Sequence, residues 1–414
     1  MPGILPACMK PPHHPPKRRS MATLQDNAPL TGIRVLDLSA YIAGPYGCAL
    51  LADLGAEVIK IEPPEGDNLR KYPSTLAAES RAFMGVNRGK KGMAIDLKTP
   101  SGHAVFMRLV QTADVLVHNF RPAVPKRLKI DYETLEAANP GLIYCSMTGY
   151  GTSGPLADKA GYDQVLQAMS GICSSQGTPD APEIVYGSAV DFYAASMVSN
   201  AVVAALFQRE RTRYGQEVSV SLLGSALAMQ STRMVFAEGE PRNIERDMRS
   251  GGITGLHPTH EGFLYLSANT PHFWTSLCTL SGVPQLAENE RYDSVRKRAE
   301  HAAEIVPVIR HALQQHTALE WEAIFGAAVP CAAVRQVEDM LDNPQVRDQQ
   351  FLADYHHPKA GRYKGVANLI KFGTCEPVKP VSSPTLGQHT GEILDQAGYG
   401  KDEINSLYEQ KAVF

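Results

Sequence analysis

Short aliphatic runs alternating with longer amphipathic stretches dominate the first half of the chain, and the clearest instance lies between Pro29 and Asp67. There Ile33–Leu38 reads as a buried strand, Ala43-Gly44-Pro45 as a small-residue turn, the following apolar stretch as a helix closed by Gly55, and Val58–Ile61 as a second strand that Glu62, Pro63 and Pro64 end. Strand, apolar helix, strand is a βαβ unit. Such units build parallel sheets and leave a ligand crevice at the carboxyl ends of their strands. The same alternation continues through Met93–Leu97, VLVHNF after Thr112, LIYCSM after Gly141 and IVYGSAV before Asp191. A long helix over Phe192–Arg211, a short strand over Glu217–Val220 and helical text from Leu222 to about Ala237 follow. The class is α/β. No G-x-G-x-x-G separates the first strand from its helix, which argues against a nicotinamide dinucleotide.

Beyond Ala237 the pattern changes. Glu238–Ser250 is charged and without periodicity, as a linker is. Gly262–Asn269 and Pro271–Ser281 predict a strand and a helix that open a smaller domain, continued by charged helices around Arg291–His316 and Ala318–Phe325. Val329-Pro330-Cys331 begins a loop that leads back, and Pro358, Pro377, Pro380 and Pro384 mark an extended return before a final helix from Thr390. The expected boundaries are a disordered tail over residues 1–28, a large domain over 29–237, linker and small domain over 238–328, and a return to the large domain over 329–414.

A chain of 414 residues supports two domains and a large core. Its net charge of −3 gives no broad electrostatic reason to bind nucleic acid or an anionic membrane, so an anionic ligand must meet a local basic cluster. Seven cysteines, widely spaced and without a C-x-x-C, fit a reducing compartment such as the cytoplasm and argue against a disulfide framework or a zinc site. Met1–Ser20 is proline-rich and basic, with no apolar core for a signal peptide; it reads as disorder, with a basic targeting tail as the alternative and Met21 as an alternative start. The most apolar run, Ala194–Phe207, is too short to span a bilayer and reads as a core helix.

Two carboxylates stand out. Asp191 follows Gly187-Ser188-Ala189-Val190, where a strand ends and a helix begins, with small side chains leaving room for a ligand. A carboxylate is ionised at neutral pH and can act as a nucleophile without a partner base; equally, this is where aspartate serves as a helix cap. Asp163, in the segment GYDQ, is either a second site carboxylate or the cap of a helix over Gln164–Met169. His257-Pro258-Thr259-His260 lacks the cysteine or acidic partners of a zinc site, so no metal is expected.

The wording of several segments adds to this. PLTGIRVLDLS, AGPYG, LGAEVIKIE and GDNLR, then NRGKKGMAIDLKTPSG, ADVLVHNFRP, NPGLIYCSMTGYGTSGP, AGYDQVLQAMSG and LGQHTGEIL occur in the order found in the class III coenzyme A transferases, and the chain resembles that family from about Pro29 onward. The family includes formyl-CoA transferase and the carnitine CoA-transferase and is related to the α-methylacyl-CoA racemases. The resemblance implies a Rossmann-like large domain built from N- and C-terminal segments, a smaller α/β domain from the middle, and two chains interlocked as a homodimer. It implies acyl-CoA and an organic acid as substrates, with no permanently bound cofactor, nucleic acid or membrane partner.

Residue by residue, the resemblance makes Asp191 the nucleophile, with Gly187 and Ala189 matching the family's turn, and Asp163 a supporting carboxylate. It places Ile42 and Ala43 along the coenzyme, and Ile95, Asp96, Leu97, Lys98, Asn119, Phe120, Arg121 and Arg127 in contact with it, beside Tyr162. Lys90 and Lys91 are further candidate cations for the phosphates, which call for positive charge and amide donors. Gly251, Gly252, Gly255 and His257 correspond to a substrate lid. Tyr162 stands where the racemases carry histidine, which weakens an acid–base pair at an α-carbon. Ile42 and Pro63 replace a glutamine and an arginine of formyl-CoA transferase, and the lid glycines are interrupted, which points away from formyl and oxalyl substrates; His257 and His260, with Arg249 nearby, are candidate contacts for the second carboxylate of a dicarboxylyl-CoA such as succinyl-CoA. The alternatives are an acyl-CoA racemase or isomerase on the same fold, and a CoA-binding protein without turnover.

Overall fold

The structure, a computed structural model, describes residues 28–76, 79–177, 180–241 and 252–414. It divides into two compact units, one formed by residues up to Met229 together with Phe351–Phe414, the other by Gln230–Gln350.

The first unit is built on six parallel strands: β1 (Arg34–Asp37), β2 (Glu57–Glu62), β3 (Lys90–Ala94), β4 (Val115–His118), β5 (Ile143–Thr148) and β6 (Gln216–Ser221). They lie in the order β3-β2-β1-β4-β5-β6, with Val35 of β1 level with Val58 on one side and Val115 on the other. Strand order reverses between β1 and β4, the place where open sheets of this kind part to admit a ligand. Because successive residues of a strand face opposite ways, Val35 and Leu36 enter different cores. Val35 packs with Val58, Val117 and Val198, while Leu36 packs with Ile59, Leu116 and Phe106. Both faces are covered, so the strands are aliphatic throughout rather than alternating.

Helix α1 (Ala43–Asp53) follows β1, and α2 (Pro100–Val110) follows β3 on the other face. Two later helices matter for the site: α3 (Asp163–Ser170) and the long α4 (Ala189–Thr212). By length and composition α4 could cross a membrane; here Val190, Ala194, Val198 and Val202 lie fully buried in the core. It crosses α1 closely enough that a Cβ on Gly47 would stand 2.9 Å from Val198 Cγ1 and 3.0 Å from the Ala195 carbonyl. Only glycine lets the two backbones meet there.

Several expectations need correction. The segment IVYGSAV forms no strand; residues 182–185 are irregular, a turn follows and α4 begins at Ala189. The helix expected to reach Ala237 stops at Ala228. The candidate linker lies largely outside the described residues. The loop at Val329 does not lead straight back: Cys331–Ala333 (β9) pairs with Phe263–Leu266 (β8), itself paired with Gly255–Pro258 (β7), so the second unit extends to Gln350. Helices Pro271–Leu280, Ala302–Leu313 and Ala318–Phe325 close that unit around Trp274, Leu277, Trp321 and Phe325. The chain re-enters the first unit through the hairpin β10 (Leu352–His357) and β11 (Gly361–Val366).

The final segment carries two helices, Thr390–Gln396 and Lys401–Glu409. Residues 412–414 then run beside the end of β3. Ile95 pairs antiparallel with Val413, the Asp96 amide donates to Ala412 (3.0 Å) and the Phe414 amide to Ala94 (3.0 Å).

Candidate active site

Asp191 lies at the third position of α4, which opens from two successive left-handed residues, Gly187 (φ +92°) and Ser188 (φ +60°). A turn of that hand is costly for most residues and free for glycine. Asp191 is not the cap; that position belongs to Ser188, whose side chain makes no capping bond. The cap is supplied from another helix. One carboxylate oxygen of Asp163 accepts from the amides of Val190 (2.7 Å) and Asp191 (3.0 Å). Its other oxygen accepts from the side-chain amide of Gln167 (2.5 Å). Asp163 therefore opens α3 yet caps α4, which differs from the local cap read in the sequence.

The carboxylate of Asp191 has no hydrogen bond of its own among the described residues and is partly buried. Burial, and secondarily the nearby charge of Asp163, push it up to about 7. A carboxylate so raised is more basic than an ordinary aspartate while still substantially ionised at neutral pH, which suits a nucleophile. The amides at the start of α4 are already occupied by Asp163, so donors for a tetrahedral oxyanion must come from elsewhere. Helix α1 begins at Ala43 with no side-chain cap, leaving its first amides as candidates.

The loop between β1 and α1 is held from below. Asn119 accepts from the Ala40 amide (2.9 Å) and donates to the Ala40 carbonyl (2.7 Å), while Asp67 accepts from the Tyr41 amide (3.2 Å). Asp67 is paired in turn with the fully buried Lys60 (3.0 Å), which also donates to the Ser39 carbonyl. Tyr41 takes a left-handed backbone (φ +66°), and its ring meets that of Tyr162 edge-on at 5.6 Å. Tyr46 of α1 meets Phe192 of α4 at 4.8 Å. The loop thus meets the residue before α3, and the helix that follows the loop meets α4.

Beside it a groove of about 290 Å³ runs along the carboxyl ends of β1, β2 and β3. It gathers Ile95, Asp96, Leu97, Lys98, Phe120 and Arg127. Lys98 and Arg127 are exposed and make no ion pair among the described residues, nor does Arg121. Asn119 holds the loop, and Ile42, Ala43, Arg121 and Tyr162 do not line the groove. Lys90 cannot serve as a phosphate cation: it is fully buried, bonded to Asp37 (2.7 Å), Asn87 (2.8 Å) and the Pro45 carbonyl (2.7 Å). Burial alone would raise Asp37, but Lys90 and then Lys60 hold it below the ordinary carboxylate range. Lys91 is engaged by Glu57 and Glu392.

Of the residues expected at a lid, Gly251, like Arg249 beside it, lies outside the described residues, and Gly252 (φ +90°) and Gly255 (φ +153°) have left-handed or extended positive backbones that side chains rarely adopt. His257 is a correction: it is fully buried in the second unit, its Nε2 donates to the Ile253 carbonyl (2.9 Å), and burial lowers its basicity, so it offers no surface to a substrate. Gln167, Lys60 and Asp67 went unremarked in the sequence. Gln167 was findable, since it stands one helical turn from Asp163 on the same face.

Comparison with known proteins follows the same line. The description "CoA-transferase family III" matches residues 30–390. A succinate–glutarate CoA-transferase of Agrobacterium fabrum is 34% identical over 384 residues, covering 88% of this chain and 95% of the relative. A succinyl-CoA–D-citramalate CoA-transferase of Chloroflexus aurantiacus is 32% identical over 405 residues, covering 95% and 100%. Among solved structures, a CAIB/BAIF family protein from Brucella suis superposes with a TM-score of 0.79 at 29% identity over 90% of this chain and all of the other.

Proposed function

The chain belongs to CoA-transferase family III, and from that premise we propose that Asp191 carries coenzyme A as an aspartyl thioester between a dicarboxylyl-CoA, succinyl-CoA in the first instance, and an organic acid. That the protein is a transferase moving CoA between an acyl-CoA and an acid follows from the family itself.

The route has four steps. The Asp191 carboxylate attacks the thioester carbonyl and expels CoA thiolate, leaving a mixed anhydride. The thiolate attacks the aspartyl carbonyl, which releases the donor acid as its carboxylate and leaves aspartyl-CoA. The acceptor carboxylate attacks that thioester, forming a new anhydride and freeing the thiolate once more. Thiolate attack on the acceptor's acyl carbon yields the new acyl-CoA and restores Asp191. No resident cofactor enters the sequence.

What carries this reading is a carboxylate with no hydrogen-bonded partner among the described residues, at the head of a long helix whose amides another carboxylate already fills. The groove with Lys98, Phe120 and Arg127 suits the nucleotide end of CoA, the two cations meeting its phosphates. The succinyl donor is supported by the names of the relatives, a succinate–glutarate and a succinyl-CoA–D-citramalate CoA-transferase. A racemase would need Asp163 to reach a substrate α-carbon, yet that side chain is 2% exposed and held by three donors. Gly252 and Gly255 are retained as lid elements. A homodimer would cover apolar side chains that α4 leaves exposed, among them Phe192, Tyr193, Met197 and Phe207. The described cysteines are all free, in keeping with a cytoplasmic setting.

The test is trapping. After incubation with succinyl-CoA, hydroxylamine should convert Asp191 to its hydroxamate, located by peptide mass spectrometry. Asp191→Ala should abolish both label and CoA exchange while retaining the fold; turnover surviving that substitution removes Asp191 as the nucleophile.

A further inference from the structure

We infer that Gln167 is a positioning residue for the transfer: its side-chain amide fixes Asp163 against the head of α4 and, at the same time, pins the strand-like segment that delivers Asp191. The inference rests on the assignment of Asp191 above.

The geometry leaves the amide one orientation. Gln167 Oε1 accepts from the Val185 amide (2.8 Å), so the NH₂ end must face away from it. That NH₂ donates to the Val185 carbonyl (2.9 Å) and to Asp163 (2.5 Å). Gln167 is wholly buried. Its amide thus pairs with both backbone groups of Val185 as a neighbouring strand would, in a segment that has no strand to lie against. Two residues later come Gly187 and Ser188, both left-handed, and then α4. One side chain therefore spans the two supports of Asp191: the backbone that leads into its turn and the carboxylate that caps its helix.

The second consequence concerns the donors that hold Asp163. Asp163 meets three donors and no acceptor: the Gln167 amide, Val190 N–H and Asp191 N–H. These three donors fix where the Asp163 carboxylate stands against the head of α4. Gln167 supplies the one donor of the three that a side-chain substitution can remove. Without it, Asp163 is free to turn from the α4 amides, which changes the aim of the Asp191 carboxylate.

Two substitutions test this on the intact protein. Glu at 167 has the shape of Gln but donates to Asp163 only when protonated. In Gln167→Glu, the ratio of kcat/KM for succinyl-CoA to the native value should stay within a fewfold of one at low pH and then fall tenfold or more as the new acid ionises, so that the variant's profile departs from the native rise. Gln167→Leu, which donates nothing, should lower kcat by tenfold or more at every pH with KM for succinyl-CoA changed less than about threefold. If Gln167→Glu instead keeps the native pH profile, scaled or not, the inference is overturned. The hydroxamate label is mapped in the same samples. A label at Asp191 with an unchanged profile sinks only the role of Gln167, whereas a label on another residue sinks the assignment of Asp191.

Discussion

Replacing Asp191 by asparagine should make the protein more stable, and mainly at alkaline pH. The carboxyl is raised from 3.8 to about 7, with burial as the larger cause and the charge of Asp163 as the second. A group whose pKa is raised on folding is one the fold prefers neutral, so its ionisation works against the folded state. That cost is absent below the unfolded pKa, grows between about pH 4 and pH 7, and is constant above. At ~1.4 kcal/mol per unit the upper bound is about 4 kcal/mol. Partial contact with solvent reduces it, and about 2 kcal/mol is the working figure. Asparagine keeps the shape and discards the charge. For a chain of 414 residues the gain corresponds to roughly 2–3 °C in Tm above neutrality, and to less than half of that at pH 5. Thermal melts of the two proteins at pH 5 and pH 8.5 read it directly. Equal shifts at both pH values, or a destabilised variant at pH 8.5, would refute the claim that Asp191 is held at an energetic cost for reactivity.

Three further outcomes follow from the same geometry. In the native enzyme kcat/KM for acyl-CoA should rise through an apparent pKa of about 7, as Asp191 loses its proton; a limb near 4 would place the titrating group elsewhere. Lys90→Met should cost about 3–5 kcal/mol in urea denaturation, because Asp37 is left charged and fully buried without its partner; a loss under about 1 kcal/mol would mean the pair is not ionised as drawn. Arg127→Ala should raise KM for acyl-CoA about tenfold with little change in kcat, since an exposed phosphate contact contributes ~1.5 kcal/mol to binding in ground and transition states alike; unchanged KM would move the nucleotide out of the groove.

Much of the first unit was legible because its strands are buried on both faces. Runs such as IRVLDL and LIYCSM can be little else once Gly and Pro bound them, and their observed spans fall within two or three residues of expectation. IVYGSAV deceived because its composition suits a strand equally well. What decides it is the left-handed pair Gly187-Ser188 and a partner, Gln167, that imitates a strand with one side chain. Lys90 and Lys91 read as adjacent surface cations, yet strand alternation sends Lys90 into the core, to an aspartate on another strand. His257 failed in the same way: a polar residue in an unfamiliar strand was read as a ligand when it is buried against its own neighbours. The sequence could place chemistry on elements; it could not show which polar groups would find each other across them.

The short pairing of residues 412–414 along the end of β3 sets an order of events. Those residues hold the backbone at Ala94, Ile95 and Asp96, of which Ile95 and Asp96 lie on the wall of the groove proposed for the coenzyme. During synthesis the six strands can all be outside the ribosome for nearly two hundred residues while that wall still lacks its clasp. If the groove receives the coenzyme as proposed, that wall is completed only after the whole second unit has emerged, and a substitution at Val413 acts on ligand affinity although it lies far along the chain from Asp191.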